Sequence, residues 1–276
     1  MTTLVMFSGG MDSTAMLVKL LAQSEDELRV HHIRMVNREG RAAAICRPRP
    51  REPPVTSACL PSSARSCRTF MAAMLIEFPG PMTTLVMFSG GLDSTAMLVK
   101  LLAETDAELR VHHIRMANRE QRAEAEQAAV ERIVAWCRSR YRPFRYTESA
   151  LDFTALEAVP IDYLCIAFVA CQVAIDTPGC NRIAVAALAR DTDIENRSAR
   201  QRRVFDALYE CYRARKLGEP EVQWIYPVYH ATKRELAAAL PRELLEMSWS
   251  CRRPVREGAT FRPCGACKAC LARAEI

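Results

Sequence analysis

The sequence predicts an α/β fold with a doubly wound parallel sheet and a C-terminal four-cysteine zinc-binding element. Between residues 82 and 226, short apolar runs alternate with amphipathic segments of helical length, as in parallel sheets covered by helices. One strand-to-helix junction contains a pair of glycines, and four cysteines cluster near the C-terminus. The junction predicts an anion site and the cysteines predict a metal site.

The N-terminal part of the chain contains a duplication. Residues 1–40 and 82–121 match at 33 of 40 positions. Residues 41–81 are rich in Arg, Pro, Ala and Ser and show neither helical nor strand periodicity over most of their length, which predicts a disordered linker. A further hypothesis is that this linker is duplicated coding DNA read out of frame. We therefore predict a partial duplicate at 1–40, the linker, an α/β domain at 82–247 and a zinc-binding element at 248–276.

Composition argues against several classes of protein. Most of the net charge of +6 lies in residues 41–81, which contain six arginines and two glutamates. The rest of the chain therefore has no basic stripe of the kind that nucleic-acid binding requires. The longest apolar run, 161–175, contains Asp162 and Gln172 and is too short to span a bilayer. Twelve cysteines without a visible secretory signal favour a reducing, cytoplasmic setting, where clustered cysteines bind metal more often than they form disulfides.

The first element of the predicted domain is a strand, a turn and a helix. Leu85–Phe88 is apolar enough for a buried strand, and Thr95–Ala103 places its large apolar residues on one helix side. Glycines let the backbone approach an anion, and free N–H groups at the helix start point towards it. An N-capped turn without a ligand is the alternative. The predicted phosphate-binding residues are Ser89, Gly90, Gly91, Leu92, Asp93 and Ser94, with Asp93 also a ligand of Mg²⁺.

The later elements continue the alternation. The predicted strands are 109–116, 143–147, 182–188 and 222–226, and the predicted helices are 120–138, 161–175 and 198–216. In such sheets ligands bind where the strand order reverses, which is where the glycine turn would lie. Of the two histidines on the second strand, His112 and His113, we expect one to face the core and neither to be catalytic.

The C-terminal cysteines have the spacing C-x12-C-x2-C-x2-C. Four thiolates suit one tetrahedral zinc ion, and a site with four protein ligands is structural because no position remains for a catalytic water. An iron–sulfur cluster also uses four thiolates, and a metal-free redox role is the third alternative. The predicted metal ligands are Cys251, Cys264, Cys267 and Cys270.

Two motifs carry a resemblance to known enzymes. The hexapeptide SGGLDS after a strand is similar to the pyrophosphate loop of the N-type ATP pyrophosphatases, the PP-loop or adenine nucleotide alpha hydrolase-like superfamily. The tail, Trp249–Cys251 followed by Pro263–Ala274, resembles 7-cyano-7-deazaguanine synthase (QueC). This resemblance covers residues 82–276 and implies a Rossmann-like, HUP-type sheet. Three other segments resemble the same family: Gln121–Glu124, Tyr226–Pro227 with Lys233 and Glu235, and Asp191 with Glu195–Arg197.

The chain departs from the family pattern at the start of the buried helix. Pro160-Ile161-Asp162-Tyr163 stands where the family usually has Pro-x-Arg-Asn, and the aromatic Tyr-Pro near residues 195–197 is missing. In the family, the positions at which this chain departs are associated with the deazapurine substrate. The departures therefore concern the substrate more than the ATP chemistry.

The resemblance implies an ATP-dependent carbon–nitrogen ligase of queuosine biosynthesis. Such an enzyme adenylates 7-carboxy-7-deazaguanine, releases pyrophosphate and uses ammonia to form an amide and then the nitrile, consuming two ATP. The implied cofactors are ATP, Mg²⁺ and Zn²⁺, the implied partners are small molecules, and a homodimer is possible. A relative that transfers the activated deazapurine to an amine on a protein partner, or one that modifies tRNA, is the alternative. The implied catalytic residues are Asp93, Lys233, Asp191 and Arg197.

The two copies of the glycine turn are predicted to differ in function. The first, Ser8–Ser13, is followed by the linker, whereas the second, Ser89–Ser94, is followed by the helix and strands that complete a site. We therefore expect only the second copy to be catalytic, and the first to be loose or to compete for the same place in the sheet.

Overall fold

The computed structural model describes the backbone of residues 2–6, 27–31, 35–38, 82–189, 194–212 and 222–276, and the side chains within 82–189, 199–210 and 222–276. The linker 41–81, the turn Ser8–Ser13 and Asp191 lie outside the described residues. Arg197 lies on a helix whose backbone is described, but its side chain is outside the description.

The main sheet has six strands in the order β3-β6-β5-β4-β7-β8. Strands β4 to β8 are parallel, and β3 pairs antiparallel with β6. Because β5 and β6 lie on one side of β4 and β7 and β8 on the other, the strand order reverses at β4. The strands are β1 Thr2–Met6, β2 Glu27–His31, β3 Met35–Arg38, β4 Thr83–Phe88, β5 Glu108–Ala117, β6 Arg145–Asp152, β7 Cys180–Ala184, β8 Gln223–Ile225, β9 Val255–Glu257 and β10 Thr260–Arg262.

Helices cover both faces of the sheet, as the apolar strands require. Val86 and Phe88 of β4 pack with α1, α2, α5 and α6, whereas Leu85 and Met87 pack with α3 and α4. This alternation along β4 separates two cores and confirms the doubly wound α/β fold. The helices are α1 Leu92–Glu104, α2 Ala123–Arg140, α3 Asp162–Ile175, α4 Ile194–Tyr212, α5 Lys233–Ala239, α6 Arg242–Met247 and α7 Lys268–Ala274.

The first copy of the duplicated segment forms strands in two places. Its β1 and β2 form a separate parallel pair that starts at Thr2 and Glu27, and β4 and β5 start their pairing at Thr83 and Glu108. The pairing of β4 with β5 therefore repeats the pairing of β1 with β2, shifted along the chain by the distance between the two copies. Its third strand, β3, lies at the edge of the main sheet, where Met35 is opposite Leu151 of β6.

The observed elements differ from the predicted ones mainly at their ends. Strand β6 continues to Asp152 because it pairs with β5 along eight consecutive residues, which draws polar residues into the sheet. Helix α2 begins at Ala123 because Gln121 has a φ of 54°, outside the helical range. Strand β7 ends at Ala184, earlier than predicted, and the C-terminal helices α5 to α7 and the β9–β10 hairpin were not predicted. Within the described ranges, none of the helices is long and apolar enough to cross a membrane.

Candidate active site

A cavity of about 330 Å³ lies at the carboxyl end of β4, where the strand order reverses. On one side it is lined by the phosphate loop, the name used here for Ser89–Ser94. On the other side it is lined by four charged residues from distant parts of the chain, Arg122, Glu126, Asp162 and Arg252. Because ligands of doubly wound sheets bind at this edge, the cavity is the candidate active site.

The phosphate loop depends on the absence of side chains at its glycines. Gly90 has a φ of +74°, and a Cβ there would lie 2.7 Å from Cγ2 of Val130 on α2. Gly91 is the N-cap of α1 and has no side-chain capping bond, so the first N–H groups of the helix lie beside the cavity. A backbone turn of this kind, followed by a helix start, is suited to hold the phosphates of a nucleotide.

Two serine hydroxyls brace the loop. Oγ of Ser94 donates to the carbonyl oxygen of Gly91 at 3.1 Å and lies 3.0 Å from Oγ of Ser89. Ser94 is buried, whereas Ser89 is exposed. The geometry gives Ser94 a role in holding the turn and leaves Ser89 beside the cavity.

The acid and the lysine predicted to act on ATP lie at the same cavity. Asp93 is in the first turn of α1, and Lys233 is the first residue of α5, whose N-cap Thr232 forms a capping box with Glu235. Both also line an adjoining space of about 40 Å³. The structure thus brings together two residues that are 140 positions apart in the chain, as the predicted site requires.

The segment Trp249–Arg252 connects the loop to the rest of the site. The backbone N–H of Trp249 donates to the carbonyl oxygen of Gly90 at 2.9 Å, and its indole N–H donates to the carbonyl oxygen of Cys251 at 3.0 Å. Ser250 and Arg252 line the cavity. The C-terminal element is therefore part of the active-site wall.

A cluster of five charged residues, here called the ionic cluster, borders the cavity beside the phosphate loop. Its members are Glu120, Arg122, Glu126, Asp162 and Arg252. The guanidinium of Arg122 contacts all three carboxylates, with N···O distances of 3.0 Å to Glu120, 3.1 Å to Glu126 and 3.0 Å to Asp162. Arg252 contacts Glu120 at 2.7 Å and Asp162 at 3.5 Å. Asp162, at the position where the resemblance departs from its pattern, is thus bound into this cluster.

Glu126 has the most buried carboxyl of the cluster. Burial raises the pKa of Glu126 to about 7, and the nearby Asp162 adds to the rise, although Arg122 opposes it. A carboxyl with a pKa near neutrality exchanges protons at physiological pH. This residue was not predicted from the sequence, although a signal existed: Glu126 is on the buried stripe of α2 formed by Ala129, Val130 and Ile133.

The four cysteines come together between α6 and α7. Their Sγ atoms all lie within 4.8 Å of one another, with 3.5 Å between Cys267 and Cys270 and 3.9 Å between Cys264 and Cys270. Thiolates around one tetrahedral zinc ion would be roughly 3.8 Å apart, given Zn–S bonds of about 2.3 Å. The thiolates around a four-iron cluster would lie farther apart, so the observed Sγ–Sγ distances fit a single ion.

The surroundings of the thiols also suit a cation. Backbone N–H groups donate to sulfur, from Cys264 to Cys251 and from Cys267 to Cys264, each at 3.3 Å. Backbone donors at Ala266 and Cys267 lower the pKa of Cys264, whereas burial and the neighbouring Cys267 raise the pKa of Cys270 to about 12. Ionisation of all four thiols at this distance is opposed by their mutual repulsion, which a cation among them would relieve.

Both strand histidines are buried, whereas only one was expected to face the core. His112 contacts the hydroxyls of Thr147 and Ser149 on β6, and burial lowers its pKa to about 3. His113 lies on the other face, where Nδ1 is 2.9 Å from the carbonyl oxygen of Phe88, directly before the phosphate loop. Helices cover both faces, so both rings are enclosed.

Comparisons with known proteins give likenesses among solved structures. No protein-family model and no curated protein sequence matches the chain. Among solved structures, the U34-tRNA thiolase NcsA from Methanococcus maripaludis with its [4Fe-4S] cluster is 16% identical, with a TM-score of 0.38. The match covers 70% of this chain and 62% of the thiolase.

Proposed function

We propose that the protein is an ATP-dependent carbon–nitrogen ligase of the PP-loop ATP pyrophosphatase superfamily, similar to 7-cyano-7-deazaguanine synthase. The observation that carries the proposal is that two separate parts of the resemblance meet at one cavity. The loop Ser89–Ser94 and the segment Trp249–Arg252 line it together and are joined by the bond from Trp249 to Gly90. The proposed substrates are ATP, 7-carboxy-7-deazaguanine and ammonia, and the product is 7-cyano-7-deazaguanine.

The first half-reaction is adenylation. A carboxylate oxygen of the substrate attacks the α-phosphorus of ATP, and the bond from that phosphorus to the bridging oxygen breaks, so that pyrophosphate leaves. The backbone N–H groups of the phosphate loop hold the departing pyrophosphate. Asp93 would hold a Mg²⁺ ion, which would supply positive charge against that pyrophosphate. Lys233 offsets negative charge near the α-phosphate. Positioning and charge stabilisation are sufficient, so no protein nucleophile is required.

The second half-reaction is transfer to nitrogen. Ammonia attacks the activated carbon, AMP leaves with the electron pair of its carbon–oxygen bond, and nitrogen loses a proton to water, which gives the amide. The amide oxygen then attacks the α-phosphorus of a second ATP and pyrophosphate leaves. That oxygen departs with AMP while the two nitrogen protons pass to water, which leaves the nitrile. We propose that Asp191 and Arg197 bind the acyl or purine group; Asp191 and the side chain of Arg197 lie outside the described residues. The four cysteines bind one Zn²⁺ that has a structural role, because all four ligand positions belong to protein.

A second candidate is transfer of the same activated group to an amine on a macromolecule. One observation favours it: Val159 and Ile161, three positions and one position before the cavity residue Asp162, are exposed, with 39% and 52% of their surface accessible. Exposed apolar side chains at the edge of a site suit contact with a larger partner.

The experiment that tests the proposal is pyrophosphate release with ATP and 7-carboxy-7-deazaguanine, with and without ammonia. Mass spectrometry then identifies the product. We expect pyrophosphate to depend on the carboxylate and the amide and nitrile to depend on ammonia. Release of pyrophosphate without a nitrile, together with labelling of an added amine, would favour the second candidate. No pyrophosphate under either condition would exclude the proposed reaction.

A further inference from the structure

The ionic cluster contains one more carboxylate than it has guanidinium groups. Glu120 and Asp162 each contact both Arg122 and Arg252. Within the side chains described for residues 82–189 and 222–276, the ion pair of Glu126 is with Arg122 alone. If all three carboxyls are ionised, the cluster carries a net charge of −1, and one proton neutralises it. Glu126 is the member with the fewest cationic contacts and therefore the place where that proton is bound.

Glu126 is also beside the place where the proposed chemistry occurs. It lines the same cavity as the phosphate loop. A Cβ added to Gly90 would be 3.7 Å from the carbonyl oxygen of Glu126, so the loop packs directly against this turn of α2. Arg122 holds the carboxyl in place through Nη1 and Oε1. The residue thus combines access to the cavity, a fixed position and an exchangeable proton.

We propose that Glu126 is a catalytic residue that accepts a proton from the nitrogen nucleophile in the second half-reaction; this rests on the function proposed above. One proton of the ammonium ion passes to the Glu126 carboxylate, and the freed lone pair on nitrogen forms the bond to the acyl carbon. The carbon–oxygen bond to AMP then breaks, and its electron pair leaves with AMP. The second proton leaves nitrogen for water, and Glu126 releases its own proton to solvent before the next cycle.

The charged groups around Glu126 set when it can act. Arg122 and Arg252 favour the carboxylate, and Asp162 and Glu120 favour the protonated form, in addition to burial. Since only the carboxylate accepts a proton, amide formation by the wild type should rise with pH through neutrality. Adenylation makes no use of this group and should lack that rise.

The test is Glu126→Gln, which keeps the size and the acceptor oxygen facing Arg122 but does not take up a proton. Pyrophosphate release in a single turnover without ammonia reports adenylation, and mass spectrometry of the amide reports transfer to nitrogen. We expect adenylation to stay within about threefold of the wild type and amide formation to fall about 100-fold or more. Glu124→Gln is the matched control, because Glu124 lies on the same helix, pairs with Arg256 and does not line the cavity.

Hydroxylamine separates proton transfer from positioning. It is already uncharged at pH 7, so it needs no proton acceptor before it attacks. We expect the Glu126→Gln defect to shrink to about threefold with hydroxylamine, and Glu126→Asp to recover part of the amide formation. Equal defects with ammonium and hydroxylamine, or equal slowing of both half-reactions, would overturn the inference alone. Absence of pyrophosphate release by the wild type would overturn the proposed function and this inference with it.

Discussion

The two sides of the cavity are built in different ways. The phosphate loop is one hexapeptide, and its shape comes from local backbone conformation, with Gly90 in the left-handed region and Gly91 starting a helix. The ionic cluster joins side chains that are up to 132 positions apart, as in the contact of Arg252 with Glu120. One side therefore depends on which residue occupies a turn, and the other depends on how helices and the C-terminal segment pack.

A single segment links the two sides. Trp249 bonds to the loop at Gly90, and three residues later Arg252 bonds to Glu120 and Asp162. Cys251, between them, is one of the four clustered cysteines. A metal bound to the cysteines would hold this segment in place and so preserve both sides of the cavity. A substitution on either side, in contrast, should affect that side alone.

The largest effect is expected from removing the metal proposed for the four cysteines. Cys267→Ser should lower the free energy of unfolding by on the order of 5 kcal/mol, because the binding energy of a structural metal contributes to folding. Both sides of the cavity should then be disrupted together. Urea unfolding, combined with metal content by mass spectrometry, measures the change.

The matched control for that change is Cys165→Ser. Cys165 is a half-buried thiol outside the cluster, so its loss should cost no more than about 1 kcal/mol. If Cys267→Ser keeps its stability and loses only activity, the cysteines take part in the chemistry and the structural role is wrong.

The next effect concerns the phosphate side alone. Asp93→Ala should slow pyrophosphate release on the order of 10³-fold, about 4 kcal/mol of transition-state stabilisation, because a ligand of Mg²⁺ is lost. Asp106→Ala, at an exposed position after the same helix, should have no effect on this rate. Retention of release by Asp93→Ala would show that this carboxylate does not hold the metal ion.

The difference between the phosphate loop and the ionic cluster also explains which features could be predicted from the sequence. The strand–turn–helix at Leu85–Ser94 and the cysteine cluster follow from local composition and spacing, and both are present. Glu126 and Asp162 are near one another only because α2 and α3 fold to the same cavity. The buried stripe of α2 marks Glu126 and the departure from the family pattern marks Asp162, but neither signal pairs the two residues. Helix α5 has seven residues, too few for a periodic pattern. The edge strand β3 pairs through its backbone with β6, a contact that residue types do not encode.

A third prediction isolates the ionic side through pH. Burial raises the pKa of Glu126 from its ordinary 4.5 to about 7, so between these values the folded state binds a proton that the unfolded state lacks. The wild type should therefore lose stability as pH rises from 4.5 to 7, and Glu126→Gln should not. The stability of the variant relative to the wild type should rise by up to about 3 kcal/mol over this range.

Urea unfolding at pH 5 and pH 8 measures that difference. The change in stability between the two pH values is compared, and not the absolute stability, because the variant also weakens one contact to Arg122. Glu124→Gln again serves as the control, since its carboxyl is exposed and pairs with Arg256 outside the ionic cluster. Parallel pH profiles for the wild type and Glu126→Gln would show that Glu126 is ionised throughout and contradict its place as the cluster's proton site.

The smallest effect is expected at the turn that positions the ionic side. Gln121 has a φ of 54°, and its N–H donates to the carbonyl oxygen of Asn118 at 3.1 Å, so the turn sets the directions of Glu120 and Arg122. A left-handed conformation costs a residue with a Cβ about 1 kcal/mol, partly offset by the greater freedom of glycine in the unfolded chain. The free energy of unfolding should therefore rise by about 0.5 kcal/mol in Gln121→Gly. It should fall by about 1 kcal/mol or more in Gln121→Val, since β-branched residues tolerate this region poorly.

Pyrophosphate release should be unchanged in Gln121→Gly, because the phosphate loop makes no use of this turn. Equal stability of the Gly and Val variants in urea unfolding would mean that the turn relaxes without strain and that packing of Arg122, rather than the backbone, holds the cluster in place.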